Sequence, residues 1–397
     1  MKKKKVLLAF SGGLDTSYCV KYFIHEKGLE VHTAIVNTGG FSIAELQKVE
    51  KLAYQLGAKC HKTIDGSQDF YEYIVKYLIF GNILKNNTYP LSVSAERIFQ
   101  AKALAEYAKA IGASYIAHGS TGAGNDQIRF DLVFQLVAPE LEILTPVRDQ
   151  ILSRREEIEY LSSQGVKTDW EKSKYSLNKG LWGTSIGGKE TLTSNEPLPE
   201  EAFPSKVVKT EPENLTIGFE KGEIVSVNGE KTNPVRAIQL IDSKASKYAI
   251  GRDMHTGDTI IGIKGRIGFE AAAASVIIKA HHVLEKHTLS KWQLHWKEQL
   301  AGWYGMFLHE AQYFEPVMRN IENFLTDTQK FVSGEVTVVL NPYHFEIQGI
   351  RSDHDLMNSD FGDYGEINKA WTGNDVKGFV KIMANSMKIY QNVNGEL

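Results

Sequence analysis

Ala9-Phe10-Ser11-Gly12-Gly13-Leu14-Asp15-Thr16-Ser17 joins an apolar run to a stretch with helical spacing, and its residue types are those of an anion cradle. Two adjacent glycines let backbone N–H groups approach a bound anion closely. The hydroxyls of Ser11, Thr16 and Ser17 add donors, and the dipole of a helix opening here favours negative charge. Phosphate is the guest that such chemistry fits. The spacing differs from the G-x-x-x-x-G-K-[ST] loop and lacks that loop's lysine. Gly183, Gly188 and Lys189 do stand at the latter spacing, but Glu190 takes the hydroxyl position, no clear strand pattern leads in, and a carboxylate there repels phosphate. That second match is set aside.

A further polar loop follows a strand expected at Tyr115 to Ala117: His118-Gly119-Ser120-Thr121-Gly122-Ala123-Gly124-Asn125-Asp126-Gln127-Ile128-Arg129-Phe130. Three glycines expose backbone, and Asn125, Asp126 and Arg129 crowd the opening of the next helix. Asp126 could hold an ammonium and Arg129 could grip a carboxylate bidentately, a combination suited to a zwitterionic amino acid. Taken alone, the pair equally describes a capped helix with a surface ion pair. Two such loops after strands favour the site.

The elements that must position these loops alternate as βαβ units through about residue 165. Strand patterns fall at 6–10, 31–36, 59–64, 115–118 and 142–144. Ser42 caps a helix whose apolar positions Leu46, Val49, Leu52, Ala53 and Leu56 run to Gly57, and Ser94 opens another through Ala95, Ile98, Ala101, Ala105 and Ala108, closed by Gly112. The fold class expected is α/β: a parallel, doubly wound nucleotide-binding sheet that binds ligands at the carboxyl ends of its strands. Beyond it, four of the ten prolines (Pro197, Pro199, Pro204, Pro212) mark an extended connection. Hairpins at 215–227 and 336–349 flank helix-rich sequence from 270 to about 326, a second mixed α/β domain. From Asp375 the residues Val376, Phe379, Val380, Met383, Met387 and Tyr390 form one helical stripe, which docks either on another subunit or on its own domain. The expected division is 1–168 for the phosphate-binding α/β domain, 169–364 for the second mixed α/β domain and 365–397 for a C-terminal helical tail and oligomerisation arm.

Composition removes several function classes. With 397 residues, 42% hydrophobic and 23% charged, the chain is an ordinary globular one, and a net charge of -3 provides no electrostatic footprint for nucleic acid. No apolar run approaches membrane-spanning length, and the Lys2–Lys5 start with its short apolar stretch reads as a first strand rather than a leader. Cys19 and Cys60 are too few for a disulfide framework and agree with a cytoplasmic location.

The first loop resembles the PP-loop of the ATP pyrophosphatases, and the second resembles argininosuccinate synthase in particular. Matches to that family span the chain: Asn37-Thr38-Gly39-Gly40 with Val36 on the adenine side, Tyr89 and Ser94, Ser176 and Ser185 around Leu181-Trp182-Gly183, Gly251-Arg252, and Ile261-Gly262-Ile263-Lys264. The resemblance implies joining of citrulline and aspartate through a citrullyl-adenylate, with release of pyrophosphate and AMP. It implies that Ala9, Phe10, Ser11, Gly12, Gly13, Leu14, Asp15, Thr16, Ser17, Val36 and Gly119 serve ATP. Thr121, Asn125 and Asp126 would serve aspartate, and Tyr89, Ser94, Asn125, Arg129, Ser176 and Ser185 would hold citrulline. Asp15 and Asp126 are the candidate catalytic residues. Mg²⁺ is expected on the triphosphate, within reach of Asp15 and with no dedicated protein cage, and the expected assembly is a homotetramer.

This sequence also departs from the family pattern. Ala123 stands where lysine is usual, Asn178, Lys179 and Gly180 replace an acidic pair and an asparagine, Gly257 replaces a citrulline-contacting Glu, and Phe269 replaces a contacting Tyr. Loss of carboxylates that would face an α-ammonium suggests an N-acylated citrulline, with Lys179 meeting a carboxylate on the acyl group and Gly257 making room. The alternative is free citrulline with compensation from neighbouring residues. Two other functions share the first loop: another PP-loop adenylating synthetase, and a non-catalytic nucleotide sensor.

Overall fold

The computed structural model describes residues 3–122, 124–167, 170, 174–358, 364–365 and 370–395. Five parallel strands, β1 (Lys5–Ala9), β2 (Glu30–Asn37), β3 (Cys60–Asp65), β4 (Tyr115–Ala117) and β5 (Glu142–Leu144), lie in the order β3-β2-β1-β4-β5. Val6, Leu7 and Leu8 are wholly buried because helices cover both sheet faces, and each such side chain contributes about 1.5–3 kcal/mol. Strand order reverses between β1 and β4, so the loops that leave their carboxyl ends flank the crevice where ligands bind in such sheets.

Local chemistry sets the helix ends. Ser42 accepts from Glu45 N–H while Glu45 accepts from Ser42 N–H, and Gly57 closes α2 (Ile43–Leu56) at φ +103°. α1 (Leu14–His25) opens directly on the glycine turn, as expected. The helix expected to open at Ser94 is α3 (Ser92–Ala110), one half-turn earlier. Leu91 precedes it at φ +61°, and the Tyr89 hydroxyl takes the N–H of Val93 at 3.3 Å, supplying the cap that no residue at 91 provides. α4 (Asp126–Val137) and α5 (Arg154–Ser163) complete the helices around this sheet.

Two antiparallel sheets follow. β6 (Ser176–Gly180), β7 (Gly183–Gly187), β11 (Arg252–Asp258) and β12 (Lys264–Glu270) form one, in the order β11-β12-β7-β6. β8 (Glu213–Glu220), β9 (Glu223–Val227), β10 (Glu230–Lys231), β13 (Gly334–Asn341) and β14 (His344–Arg351) form the other, in the order β10-β9-β8-β13-β14. Both expected hairpins are present, and Lys221 and Gly222, each at positive φ, make the first one tight. α6 (Pro234–Ala245), α7 (Ala272–Thr288), α8 (Lys291–His309) and α9 (Pro316–Thr328) pack with them. Gly183 to Gly187 is strand β7, so the rejected glycine-lysine match is not a phosphate loop.

The chain divides into two compact units, Met1–Asp353 and His354–Leu397. In the second, the stripe expected as one helix is two, α10 (Gly373–Met383) and α11 (Asn385–Asn394), broken at Ala384, and all six stripe residues are exposed. Ala123 and the boundary expected between 168 and 169 lie outside the described residues. Among the described residues no helix is long and apolar enough to cross a membrane.

Candidate active site

The turn after β1 is built as its residue types require. Gly12 takes φ +79°, a conformation costly for a side chain, and Gly13 extends the backbone into the first turn of α1. The Thr16 hydroxyl donates to Gly13 O at 3.2 Å and Gly13 N–H reaches Ser11 Oγ at 3.4 Å, which curls the loop around the helix N-terminus. Ala9, Phe10, Ser11, Gly13, Leu14, Asp15 and Thr16 line a cavity of about 610 Å³, with Val36 and Gly119 on its other walls. Gly12 and Ser17 do not line it. Gly12 serves the turn, and the buried Ser17 hydroxyl has no hydrogen-bond partner.

Gly119 explains the close fit between the two loops: a Cβ there would stand 3.2 Å from Asp15 C and Thr16 N. His118 stacks on Phe130 and bonds Asp131 at 2.8 Å, and Ser120 N–H donates to its other ring nitrogen. The Gln127 amide donates to Gly122 O and Gly124 O, closing the loop on α4.

A second cavity of about 570 Å³ is lined by Tyr89, Ser94, Thr121, Asn125, Asp126, Arg129, Ser176 and Ser185, the eight residues expected to hold the amino-acid substrates. They come from four stretches of chain: 89–94, 121–129, β6 and β7. Asp15, Ser120, Asp126, Ser176 and Asn178 border both cavities, so the two expected catalytic carboxylates stand where the cavities meet. Asn125 accepts Ile260 N–H at 3.0 Å, tying the β11–β12 turn to this wall.

The charges are already engaged. Asp126 accepts from Arg97 Nε at 3.0 Å and from Arg129 Nη1 at 2.8 Å; burial alone would raise its pKa, but the two guanidinium groups hold it below the usual carboxylate range. Arg129 gives Nε and Nη2 to His309 O, so it brings charge to the cavity rather than a free bidentate fork. Asp15 faces Glu157 behind the loop: burial and the neighbouring Asp15 push Glu157 up to about 8, and burial raises Asp15 as well.

Several functional-looking residues were not legible in the sequence. Arg97 belongs to α3 and reads there as a solvated charge until Asp126 and Asn178 are seen against it. Glu96, 1% exposed, accepts from Thr38 Oγ1 at 2.5 Å and Gln100 Nε2 at 2.6 Å, and burial pushes it up to about 7. Its other oxygen would lie only 1.9 Å from a Cβ on residue 180, which accounts for Gly180. Lys179 lines the first cavity and not the second, away from the place expected for it, while Phe269 lies behind Tyr89. Gly257 does line the second cavity, yet a Cβ there would meet His255 Nε2 at 2.7 Å, so the vacated room is filled by an imidazole.

The comparisons with known proteins agree along the chain. Residues 5–167 match the model of the arginosuccinate synthase N-terminal HUP domain, and residues 175–390 match that of the arginosuccinate synthase C-terminal domain. The argininosuccinate synthase of Pyrococcus furiosus is 38% identical over 383 residues, covering 95% of this chain and 92% of its own. That of Sulfolobus acidocaldarius is 35% identical, over 95% and 96% of the two chains, and that of Xanthomonas campestris 34%, over 99% and 100%. With both halves matched and such relatives aligned nearly end to end, this chain belongs to the argininosuccinate synthase family.

Proposed function

We propose that the first cavity takes ATP, that the second takes the two amino-acid substrates, and that the oxygen nucleophile is a citrulline acylated on its α-nitrogen. Family membership makes the chain an ATP-dependent ligase that forms a carbon–nitrogen bond between citrulline and aspartate in arginine biosynthesis. The ureido oxygen attacks the α-phosphorus, a new oxygen–phosphorus bond forms, and pyrophosphate leaves. The aspartate amine then adds to the activated carbon, loses a proton and expels AMP.

The residues divide this work by position. Ser11, Gly13 and Thr16 at the N-terminus of α1 hold the departing pyrophosphate. Val36 and its neighbours offer an apolar wall to the base. Tyr89, Ser94, Ser176 and Ser185 orient the citrulline, while Thr121, Asn125 and Asp126 receive aspartate. Ordering three substrates supplies much of the rate. Hard oxygens at Asp15, with Glu157 close behind, suit Mg²⁺, which when bound neutralises phosphate charge. The free thiols Cys19 and Cys60 suit the cytoplasm, and the exposed stripe of α10 and α11 suits an arm that assembles a homotetramer.

The acylated substrate rests on one observation: among the described residues lining the second cavity, no carboxylate stands free for an ammonium. Asp126 is held by two arginines, Asp258 pairs with Lys264 at 2.7 Å, and Asp15 stands on the border with the first cavity, where it serves the nucleotide and its Mg²⁺. An α-ammonium here would face Arg129 and Arg266 without compensation. Pyrophosphate release, measured with each substrate omitted in turn and with citrulline, N-acetylcitrulline and N-succinylcitrulline compared, tests this. Release should require ATP, aspartate and a citrulline, with the acylated forms preferred. A preference for free citrulline would remove the acyl assignment and leave the ligase intact.

A further inference from the structure

The two cavities share a wall, and glycines at 39, 40 and 180 bring its parts together. The loop after β2, which follows Val36 on the base side of the first cavity, is turned by Asn37, whose side-chain oxygen accepts the N–H groups of Gly39 and Phe41. A Cβ on Gly40 would run into the carbonyl of Lys179, and one on Gly39 would stand 3.3 Å from Leu181, so this loop lies directly against the tip of the β6–β7 hairpin. The same hairpin carries Ser176 and Ser185 to the second cavity. It therefore touches the walls of both.

α3 meets that hairpin with two consecutive residues. Arg97 donates from Nη2 to Asn178 at 2.9 Å while its Nε holds Asp126 at 3.0 Å. Glu96 receives Thr38 Oγ1 at 2.5 Å and Gln100 Nε2 at 2.6 Å on one oxygen, and Gln100 Nε2 also lies 3.4 Å from the carbonyl of Val36. The other oxygen is buried with no hydrogen-bond partner and takes the space that a Cβ on residue 180 would need. A desolvated carboxyl paired on one oxygen alone costs stability compared with an apolar side chain of the same volume. What it achieves is geometric. A single side chain fixes the loop through Thr38, the cavity wall through Gln100 and Val36, and the hairpin through Gly180. Asn178 and Gly180, two of the departures from the family pattern, thus each answer to a residue of α3.

We propose that Glu96 is a positioning residue shared by both cavities: it sets the base-side wall at Val36 to Gly40 and the placement of Ser176 and Ser185 together. This rests on the assignment of ATP to the first cavity and citrulline to the second, and it holds for either form of citrulline.

The test is a double-mutant cycle read as KM for ATP, KM for citrulline and kcat, with citrulline supplied in whichever form, free or acylated, the wild type prefers. Glu96→Ala removes the acceptor of Thr38 and Gln100, and Gly180→Ala drives a methyl group into the carboxyl. Each should raise both KM values roughly tenfold while kcat falls less than about threefold. In the double variant the methyl group has the space that the carboxyl held, so its constants should match those of Glu96→Ala alone instead of multiplying. Glu96→Gln keeps the oxygen that Thr38 uses and should stay within about threefold of wild type. A rise in only one KM, or effects that multiply in the double variant, would overturn the proposal. Should Gly180→Ala prove insoluble, Glu96→Ala against Glu96→Gln decides by the same two constants. Thr16→Ala and Ser185→Ala, expected to raise KM for ATP and for citrulline respectively, check the assignment beneath. Unmoved constants in those two would remove the assignment, whereas moved constants there with unmoved ones in Glu96→Ala would remove only the role of Glu96.

Discussion

Glu96 shows how a single side chain can link pH to stability. It is buried against Gly180, and its carboxyl sits at about 7 in the folded chain against an ordinary value of 4.5. Below pH 4.5 it is protonated whether the chain is folded or not, and the shift has no effect. Between 4.5 and 7 the unfolded chain releases the proton while the folded chain keeps it, so stability falls as pH rises, by roughly 3 kcal/mol at the upper end. Glu96→Gln removes that dependence. Tm curves for the two proteins should therefore shift in favour of the glutamine variant from pH 5 to pH 7 and run parallel above that, and a constant gap throughout would show that Glu96 ionises normally. Asp126 is a different case, because Arg97 and Arg129 both lean on it. Asp126→Asn should reduce kcat/KM for aspartate on the order of a hundredfold while ATP still binds, which calorimetry and pyrophosphate release together would establish.

At the level of elements, the site depends on how closely two loops approach and on how firmly the helices beneath are held. Gly119→Ala places a methyl group 3.2 Å from the backbone of α1 and must push the second loop away from the first. Affinity for ATP, measured by calorimetry, should fall roughly tenfold, and unchanged affinity would mean that the loops have slack. Further from the site, Lys297 is wholly buried and donates to Phe80 O at 2.8 Å and to Glu285 at 2.7 Å, joining α7, α8 and the segment before Asn82. Lys297→Met leaves Glu285 charged without its cation. Urea unfolding should show a loss of about 3–5 kcal/mol, and a loss below 1 kcal/mol would show that Asn82, His281 and Gln329 suffice to hold Glu285.

For the whole molecule, the open question is assembly. Val376, Phe379, Val380, Met383, Met387 and Tyr390 present apolar surface along α10 and α11, which a chain in water covers where it can. Phe379→Glu combined with Met383→Glu should convert the proposed four-chain species into smaller ones, read as mass by light scattering. A mass unchanged from wild type would show that the tail is not the arm.

Short-range information determined the parallel sheet, the glycine turn at Ser11 to Thr16, the cap at Ser42 and the tight β8–β9 hairpin. Each is written in residues a few positions apart, where φ preference, hydrogen-bonding side chains and apolar period act directly. The eight residues expected for the amino-acid substrates came from the family resemblance, and what the structure adds is that all eight line one cavity. Only the tertiary structure decided that Asp15 and Asp126 stand where two cavities meet, that Glu96 occupies the space over Gly180, and that His255 fills the room left at Gly257. Those relations join segments far apart in the chain, and they arise from which strands and helices pack together, a fact that no local run of residues encodes.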